Sequence, residues 1–361
     1  MHKIFVFLSI LLAITGTAFA TGRTSLVAGG TGGGETHLNE PFSVCFDRDG
    51  TLVGVEFLKG NRLFKIDPDS GTLTFIGGVY AQTSSKDGDL GADDGPDPLK
   101  AHFNGMHDLA IARNGDIYLA DTFNNRVRKI DKETGKLSTI AGTGKAGFSG
   151  DGGPAVKAKV GGVYSCSLNK DETRLYIADL KNRRIRVIDL KSNIISTVAG
   201  NGNKGTPLDG AVATATPLAG PRAVAVDDDE NVYIVSREGH ALRVVGRDGK
   251  ISTVVNASGK KGYAGDGGNA LMAKLNGPKH ACIDHDGNVI IADTENHVIR
   301  KYVPKEGKIY LLAGVPKKHG DKLSSVATDS ELRRPHGVRV DAKGDIYISD
   351  SGNNRVLCLK P

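Results

Sequence analysis

Mostly polar residues recur at intervals along this sequence, each just before a short stretch of alternating apolar residues. The residues at that position are Phe42, His107, Tyr164, Arg222, Lys279 and His336, and His280 follows one of them directly. Imidazoles, a phenol and a guanidinium that converge could bind an anion or a metal ion. The sequence contains no Gly-x-Ser-x-Gly or His-Glu-x-x-His motif, and these positions carry no obvious nucleophile. The pattern therefore favours a binding site over a nucleophilic enzyme.

A repeat of about 57 residues brings these positions into register. It is best seen in residues 115–131 and 344–356, where Gly-Asp-Ile-Tyr is followed by Asp-x-x-Asn-Asn-Arg-Val. The equivalents of that first turn aspartate are Glu56, Asp121, Asp179, Ser236, Asp293 and Asp350. Six copies fill nearly the whole chain, which indicates a repeat architecture.

Each copy holds four short strand patterns separated by turns. Alternating apolar residues, as in 223–226 and 337–340, are typical of strands that bury one face. Asp, Asn and Gly separate the strands, because they bond nearby backbone amides or tolerate left-handed backbone. We expect Asp121 and its equivalents to cap their turns and to take no part in catalysis.

Six four-stranded copies predict an all-β fold, a six-bladed β-propeller. Residues 21–361 would form one domain, and the last copy has only three strands. The missing outer strand is expected from residues 24–30, which match the outer-strand pattern of residues 137–142. The predicted blades cover residues 38–78, 103–142, 160–200, 218–255, 275–314 and 332–360 together with 24–30.

The repeat resembles the NHL repeat, best between Pro335 and Val356 in the pattern Pro-x-Gly-Val-x-Val-Asp and its Asn-Asn-Arg-Val turn. The glycine-rich segments 147–155 and 262–270 are similar to inter-blade segments of secreted bacterial NHL proteins. The resemblance implies a propeller used mainly for binding, whose innermost strands line a central channel. The recurring residues and His280 would then ring the channel mouth and bind a protein, a peptide or a small anionic or polar ligand.

A second resemblance supplies an enzymatic alternative. The segments around His107 and His336 are similar to those of peptidylglycine amidating lyase, a propeller enzyme in which three such histidines hold zinc. The symmetric third position here is Arg222, which has no lone pair for a metal, and His280 is offset onto the other strand face. Catalytic zinc usually has three protein ligands. The alternative is therefore a metal-dependent lyase or hydrolase with zinc or calcium at the channel, whereas the binding module needs no cofactor.

Two further metal-binding possibilities lack the necessary ligands. Gluconolactonases are also six-bladed propellers, but they hold their metal with carboxylates and an amide, which the recurring positions lack. The acidic segment between Gly77 and His102 has Gly91 where a calcium loop needs its third ligand, and it has no downstream glutamate. We expect that segment to be solvated.

The first twenty residues predict export. A short basic start, an apolar run over residues 4–14 and the sequence Ala18-Phe19-Ala20 are typical of a cleaved signal peptide, with a mature chain from about Thr21. The run is too short for a spanning helix, which needs ~20 residues. A secreted or periplasmic protein without a membrane span is expected.

Charge and cysteines are consistent with export. The net charge of +6 is small for 361 residues, and no basic run carries interleaved aromatics, which argues against nucleic acid. The first three of the four cysteines fall on matching strands of different blades, where their Cα atoms should exceed the ~7 Å limit for a disulfide. Buried free thiols are predicted at Cys45, Cys166, Cys282 and Cys358.

Overall fold

Six small antiparallel sheets follow one another along the chain. The computed structural model describes residues 22–30, 34–67, 70–80 and 94–361, and the predicted signal peptide, residues 1–20, lies outside these ranges. The innermost strand of each sheet contacts the innermost strands of the sheets before and after it, and the last contacts the first. This closed ring is a six-bladed β-propeller, which confirms the predicted fold.

Every blade repeats the order inner, second, third and outer strand, and we number the blades 1 to 6 along the chain. The inner strands are Pro41–Phe46, Leu109–Ile111, Val163–Leu168, Pro221–Val226, His280–Ile283 and Gly337–Val340. The second strands are Leu52–Glu56, Ile117–Asp121, Arg174–Asp179, Val232–Ser236, Val289–Asp293 and Ile346–Asp350. The third strands are Leu63–Ile66, Arg126–Ile130, Arg184–Asp189, Ala241–Val245, Val298–Val303 and Arg355–Lys360. The outer strands are Leu73–Gly77, Leu137–Ala141, Ile194–Ala199, Ile251–Val255, Lys308–Ala313 and, for blade 6, Arg23–Gly29.

Short segments join these strands. The strand Gly153–Pro154 adds a fifth member to the sheet of blade 3. One three-residue 3-10 helix lies in each of five connections between blades, namely Pro98–Lys100, Ala155–Lys157, Ala213–Ala215, Ala270–Met272 and Ala327–Asp329. Two more, Thr294–Asn296 and Ser351–Asn353, follow second strands. No helix within the described ranges has the length and hydropathy needed to span a bilayer.

The N-terminal strand closes the ring. Arg23–Gly29 pairs antiparallel with Arg355–Lys360, so the two ends of the described chain share one sheet. Gly29 has φ +81°, and a Cβ there would lie 2.1 Å from the carbonyl oxygen of Asn354, so only glycine fits. The predicted closure of the last blade by the N-terminal strand is confirmed.

The apolar core lies between blades. Each of six buried clusters draws its side chains from two consecutive blades. Between blades 2 and 3, for example, Val127 packs in the same cluster as Ile177, and between blades 6 and 1 Val356 shares a cluster with Phe64. Burying one such side chain contributes about 1.5–3 kcal/mol, so each blade depends on its neighbours for stability.

The repeat aspartate connects distant segments, which corrects the expectation that it caps its own turn. Asp121 accepts a hydrogen bond from the backbone N–H of Asn104, 17 residues upstream, at 2.9 Å. Its other oxygen accepts from Asn124 Nδ2 at 2.9 Å and lies 3.2 Å from Arg128 Nη1. The same upstream bond recurs in Glu56–Asn39, Asp179–Gly161, Asp293–Asn276 and Asp350–Arg333. These buried carboxylates fix the segments that lead into the inner strands.

Candidate functional site

Five of the six recurring residues meet in a pocket of about 180 Å³ at one end of the channel. This mouth pocket is lined by Phe42, His107, Tyr164, Lys279 and His336, together with Glu40, Phe57, Arg334, Ser351 and Gly352. Arg222, the sixth, stacks its guanidinium 4.3 Å from the centre of the Tyr164 ring at the edge of the pocket. The structure thus brings together side chains from all six blades.

A side chain of the preceding blade accepts a backbone hydrogen bond just before most of these residues, and we call each such bond a clasp. Asn125 has φ 50°, and its Oδ1 accepts from the backbone N–H of Gly162 at 3.0 Å, two residues before Tyr164. His240 and His297 occupy the position of Asn125 in their own blades and accept through Nδ1 instead. The five clasps are Asn354 to Glu40, Asn61 to Gly105, Asn125 to Gly162, His240 to Gly277 and His297 to Arg334. Each one fixes the backbone two residues before Phe42, His107, Tyr164, Lys279 or His336.

Stacked rings form one wall of the mouth pocket. The rings of Phe57 and Phe42 are 4.2 Å apart and inclined by 14°, and Phe42 lies 3.9 Å from the ring of His336 at 15°. His107 meets Phe42 edge-on at 5.0 Å and lies 3.6 Å from Tyr164. Both faces of Phe42 are thus covered, and the wall is aromatic along its length.

His107 is held as a neutral imidazole. Its Nδ1 lies 2.8 Å from the carbonyl oxygen of Gly105 and 2.8 Å from Thr122 Oγ1, while Thr122 donates its own proton to Val163 O. These acceptors assign the proton to Nδ1, so Nε2 keeps its lone pair and has no partner among the described residues. Burial lowers the pKa of His107 well below its usual range. The ring therefore offers a hydrogen-bond acceptor at neutral pH.

Lys279 and His336 form a buried basic pair. Lys279 Nζ lies 2.8 Å from His336 Nε2 and 3.6 Å from Glu295 Oε1. Burial lowers the pKa of Lys279 to about 7, and the positive charge of Arg334 acts in the same direction. Burial also lowers the pKa of His336 well below its usual range, and the charge of Lys279 lowers it further. Near neutral pH the pair therefore changes between an uncharged state and a state with one positive charge.

Basic residues outnumber acidic ones around this pair. Arg237 and Arg334 lie 3.6 and 3.3 Å from the same carboxylate oxygen of Glu295, and Arg222 lies 3.0 Å from Glu238. Glu40, which also lines the pocket, is paired with Lys59 at 3.1 Å. The mouth pocket thus has an aromatic wall beside a rim of net positive charge.

His280 does not line the mouth pocket and lies one layer deeper. Its Nε2 is 3.3 Å from Asp108 Oδ1, which also accepts from Ser43 Oγ at 2.7 Å. The second oxygen of Asp108 accepts from the Cys166 N–H at 3.1 Å, and Arg339 Nη2 lies 4.0 Å from Oδ1. Burial alone would raise the pKa of Asp108, but His280, Arg339 and Ser43 lower it to about 2. This carboxylate joins five blades beneath the pocket.

The mouth does not present a matching donor set for zinc or calcium. Lys279 engages the Nε2 of His336 that would face a metal, and Arg222 is committed to Glu238. Across the described ranges, no three His, Cys, Asp or Glu side chains are grouped so that they could hold a metal ion. Catalytic zinc usually requires three such ligands.

The four cysteines are all within the described ranges and all are free. Cys166, Cys282 and Cys358 are buried, whereas Cys45 is only partly buried. Burial raises the pKa of Cys282 to about 12 and that of Cys166 well above its usual range, so both are protonated thiols.

Several residues in or beside the mouth pocket were not predicted from the sequence. Phe57 stands one position after the repeat position of Asp121 and its equivalents, and Glu238 and Glu295 stand two positions after it. These positions vary from copy to copy inside an otherwise regular turn. That variability was the available signal, because a position that serves only the fold has less reason to change between aromatic and acidic residues.

Comparison with known proteins gives one family match and a broad structural likeness. Residues 332–359 match the NHL repeat family. Over 83 residues the chain is 36% identical to Protein SUPPRESSOR OF QUENCHING 1, chloroplastic, of Arabidopsis thaliana, which is 22% of this chain and 8% of that protein. Over 102 residues it is 24% identical to Teneurin-1 of Homo sapiens, covering 25% of this chain and 4% of that protein. The chain thus spans less than a tenth of the length of either relative.

Solved structures match the whole propeller. A protein of unknown function from Bacteroides thetaiotaomicron has a TM-score of 0.68 at 16% identity, over 94% of this chain and 76% of that one. An auxiliary nutrient binding protein from Bacteroides ovatus has a TM-score of 0.67 at 14% identity, over 94% and 77%. A streptogramin B lyase has a TM-score of 0.55 at 12% identity, over 94% and 97%. At these identities the likeness establishes the fold alone. The protein is a six-bladed β-propeller whose last blade matches the NHL repeat family.

Proposed function

We propose that this protein is an extracytoplasmic binding module that captures a small ligand in the mouth pocket. The ligand would combine a flat ring or hydrocarbon face with an anionic group. The observation that carries the proposal is the juxtaposition of the Phe57–Phe42 stack with the basic pair of Lys279 and His336 in one pocket. Export rests on the predicted signal peptide. The likeness to an auxiliary nutrient binding protein supports a role in binding.

The basic pair gives the proposed binding a proton signature. A ligand carboxylate or phosphate beside Lys279 would favour its charged form, and Lys279 has a pKa of about 7 without ligand. At pH 8 the bound complex should therefore take up a proton from the buffer. His107 would accept a hydrogen bond from a ligand hydroxyl or amide through its free Nε2, which orients the ligand on the ring wall.

Calorimetry with the mature protein tests the proposal. The probes are aromatic and short-chain carboxylates and sugar phosphates, each titrated at pH 8 in two buffers of different ionisation enthalpy. For any probe that binds, Lys279→Met should weaken affinity at least tenfold and abolish the proton uptake. Lys191→Met, an exposed lysine on a turn of blade 3, is the matched control and should leave both unchanged. Because a buried polar amine is replaced by an apolar side chain of similar length, Lys279→Met should melt no lower than the wild type. Unchanged affinity in Lys279→Met would refute the assigned pocket.

The same purified protein also tests the metal-dependent alternative. The likeness to streptogramin B lyase is the reason for testing a catalytic role at the mouth. Protein purified without a histidine tag and dialysed against a mild chelator should be free of stoichiometric zinc. Zinc that survives dialysis and is lost on changing His107 and His336 together to alanine would establish a metal-dependent lyase or hydrolase instead.

A further inference from the structure

Blade 4 lacks the carboxylate that the other blades place beside a buried arginine. In blades 2, 3 and 5 the ion pairs are Arg128–Asp121 at 3.2 Å, Arg186–Asp179 at 3.7 Å and Arg300–Asp293 at 3.7 Å. The corresponding arginine of blade 4 is Arg243, but the aspartate position holds Ser236. The asparagine that accompanies the aspartate is also missing, because Gly239 stands in its place.

Arg243 is a buried cation with no hydrogen-bonded partner in the part of the chain that the structure describes. It is 1% exposed, and its Nε and Nη1 atoms are buried there without an acceptor. The other arginines reach a second carboxylate, such as Asp151 at 2.6 Å from Arg186. The equivalent in blade 4, Asp209, accepts from Thr253 instead and makes no ion pair with Arg243 within the described ranges, although its negative charge raises the pKa of Arg243 from a longer distance. Burial lowers the pKa of Arg243 to about 10, so the guanidinium is still charged at neutral pH.

An unpaired backbone donor lies in the same place. In the other five blades the repeat carboxylate accepts a backbone N–H from the segment before the inner strand. The equivalent donor in blade 4 is the N–H of Ala219, which has no acceptor among the described residues. Ser236 does not replace the carboxylate there, because it is neutral and its hydroxyl donates to the carbonyl oxygen of Ala219 at 2.8 Å. Two donors from different segments thus lack the negative group that they share elsewhere.

We propose that blade 4 binds a small monovalent anion of the halide class, with chloride the natural candidate, between Arg243 and the Ala219 N–H. An uncompensated buried charge is strongly destabilising. A water molecule would accept the N–H but leave that charge unbalanced. Gly239 brings the groups of this site together, because a Cβ on it would lie 2.8 Å from Ser236 Oγ, 3.3 Å from Ala219 Cβ and 3.3 Å from Arg243 Nη1. These close distances leave no room for a polyatomic oxyanion.

The bound anion would stabilise part of the mouth rim. Ser236 directly precedes Arg237 and Glu238, whose side chains pair with each other at 3.0 Å at the edge of the mouth pocket. In the other blades the repeat carboxylate holds this turn against the segment before the inner strand. The anion would take that structural role in blade 4.

Thermal unfolding of the mature protein tests the site at pH 7. Sodium chloride and sodium gluconate are compared from 1 to 300 mM at matched ionic strength. Chloride should raise the wild-type Tm by about 3–6 °C more than gluconate. Ser236→Asp should melt higher than the wild type in gluconate and lose the chloride-specific rise, because its carboxylate takes the place of the anion. Ser325→Asp, at an exposed serine, is the control and should keep the wild-type response.

Anomalous scattering from wild-type crystals soaked in sodium bromide gives an independent measurement. A bromide peak within about 3.5 Å of Arg243 Nε is expected, and it decides the matter even if Ser236→Asp does not fold. The proposal is overturned if no such peak appears, if chloride and gluconate stabilise the wild type equally, or if a folded Ser236→Asp protein keeps the chloride response.

Discussion

At the channel mouth the chemistry depends on protonation states that residue types alone do not reveal. The recurring positions of Phe42, His107, Tyr164, Lys279 and His336 follow from the repeat, so their convergence could be predicted from the sequence. Their charge could not, because burial and the neighbouring arginines come from other blades. Lys279 in contact with His336, and not either residue alone, gives the pocket its basic character.

The low pKa of His336 predicts a measurable pH dependence of stability. As the pH falls below about 6.5, the unfolded chain binds a proton at this histidine that the folded chain does not. The free energy of unfolding therefore falls with decreasing pH, by up to about 1.4 kcal/mol per pH unit. Between pH 7 and pH 5 the wild type should lose about 1–2 kcal/mol more than His336→Gln in denaturant melts. The difference in the free energy of unfolding between the two proteins cancels the titration of the carboxylates that they share. If their free energies of unfolding changed equally with pH, the assigned neutral state of His336 would be wrong.

Within a blade, the repeat aspartate stabilises contacts between segments. Its recurrence could be read from the sequence, and so could the strands on either side. Its partners could not, because Asn104 and Arg128 become neighbours of Asp121 only once the blade has formed. In blade 4 the aspartate position holds Ser236, and only the folded blade reveals that Arg243 then has no ion-pair partner among the described residues.

A comparison of two aspartates in blade 2 distinguishes capping of a turn from hydrogen bonding between distant segments. Asp131 is exposed and accepts from the N–H of Thr134 in its own turn at 3.0 Å, so Asp131→Ala should lower the stability only slightly. Asp121→Ala leaves Arg128 and the Asn104 N–H without their buried acceptor and should cost about 3–5 kcal/mol. Denaturant unfolding measures both. The cost of Asp121→Ala should shrink in an Arg128→Met background, and equal costs for the two aspartates would show that Asp121 only caps its turn.

For the whole molecule, stability depends on closing the ring. The arithmetic of the repeat predicted six blades, and the missing last strand predicted where the N-terminal segment pairs. The polar connection beneath the mouth was not predicted, since Ser43, Asp108 and His280 come from three different blades. Sequence periodicity thus specifies the blades, whereas contacts across the axis appear only after closure.

Removal of residues 21–30 should therefore destabilise the entire propeller. The deletion leaves the edge of Arg355–Lys360 unpaired and uncovers the apolar cluster between blades 6 and 1, where Val27 packs. Exposed edges promote aggregation, so we expect insolubility or a large loss of Tm in thermal melts. Leu26→Ser is the control, because Leu26 is 50% exposed, and it should melt like the wild type. A truncated protein as stable as a chain that begins at residue 21 would show that the pairing is dispensable.

The pairing of Arg23–Gly29 with Arg355–Lys360 also sets an order of events during synthesis. The first of these strands leaves the ribosome early, and its partner appears only after nearly all of the propeller has been made. Earlier blades can pair locally, but the ring can acquire its full cooperativity only when the late strand arrives. Contacts this distant along a chain form slowly. An interrupted or prematurely terminated chain would consequently keep an open edge that chaperones and proteases can recognise.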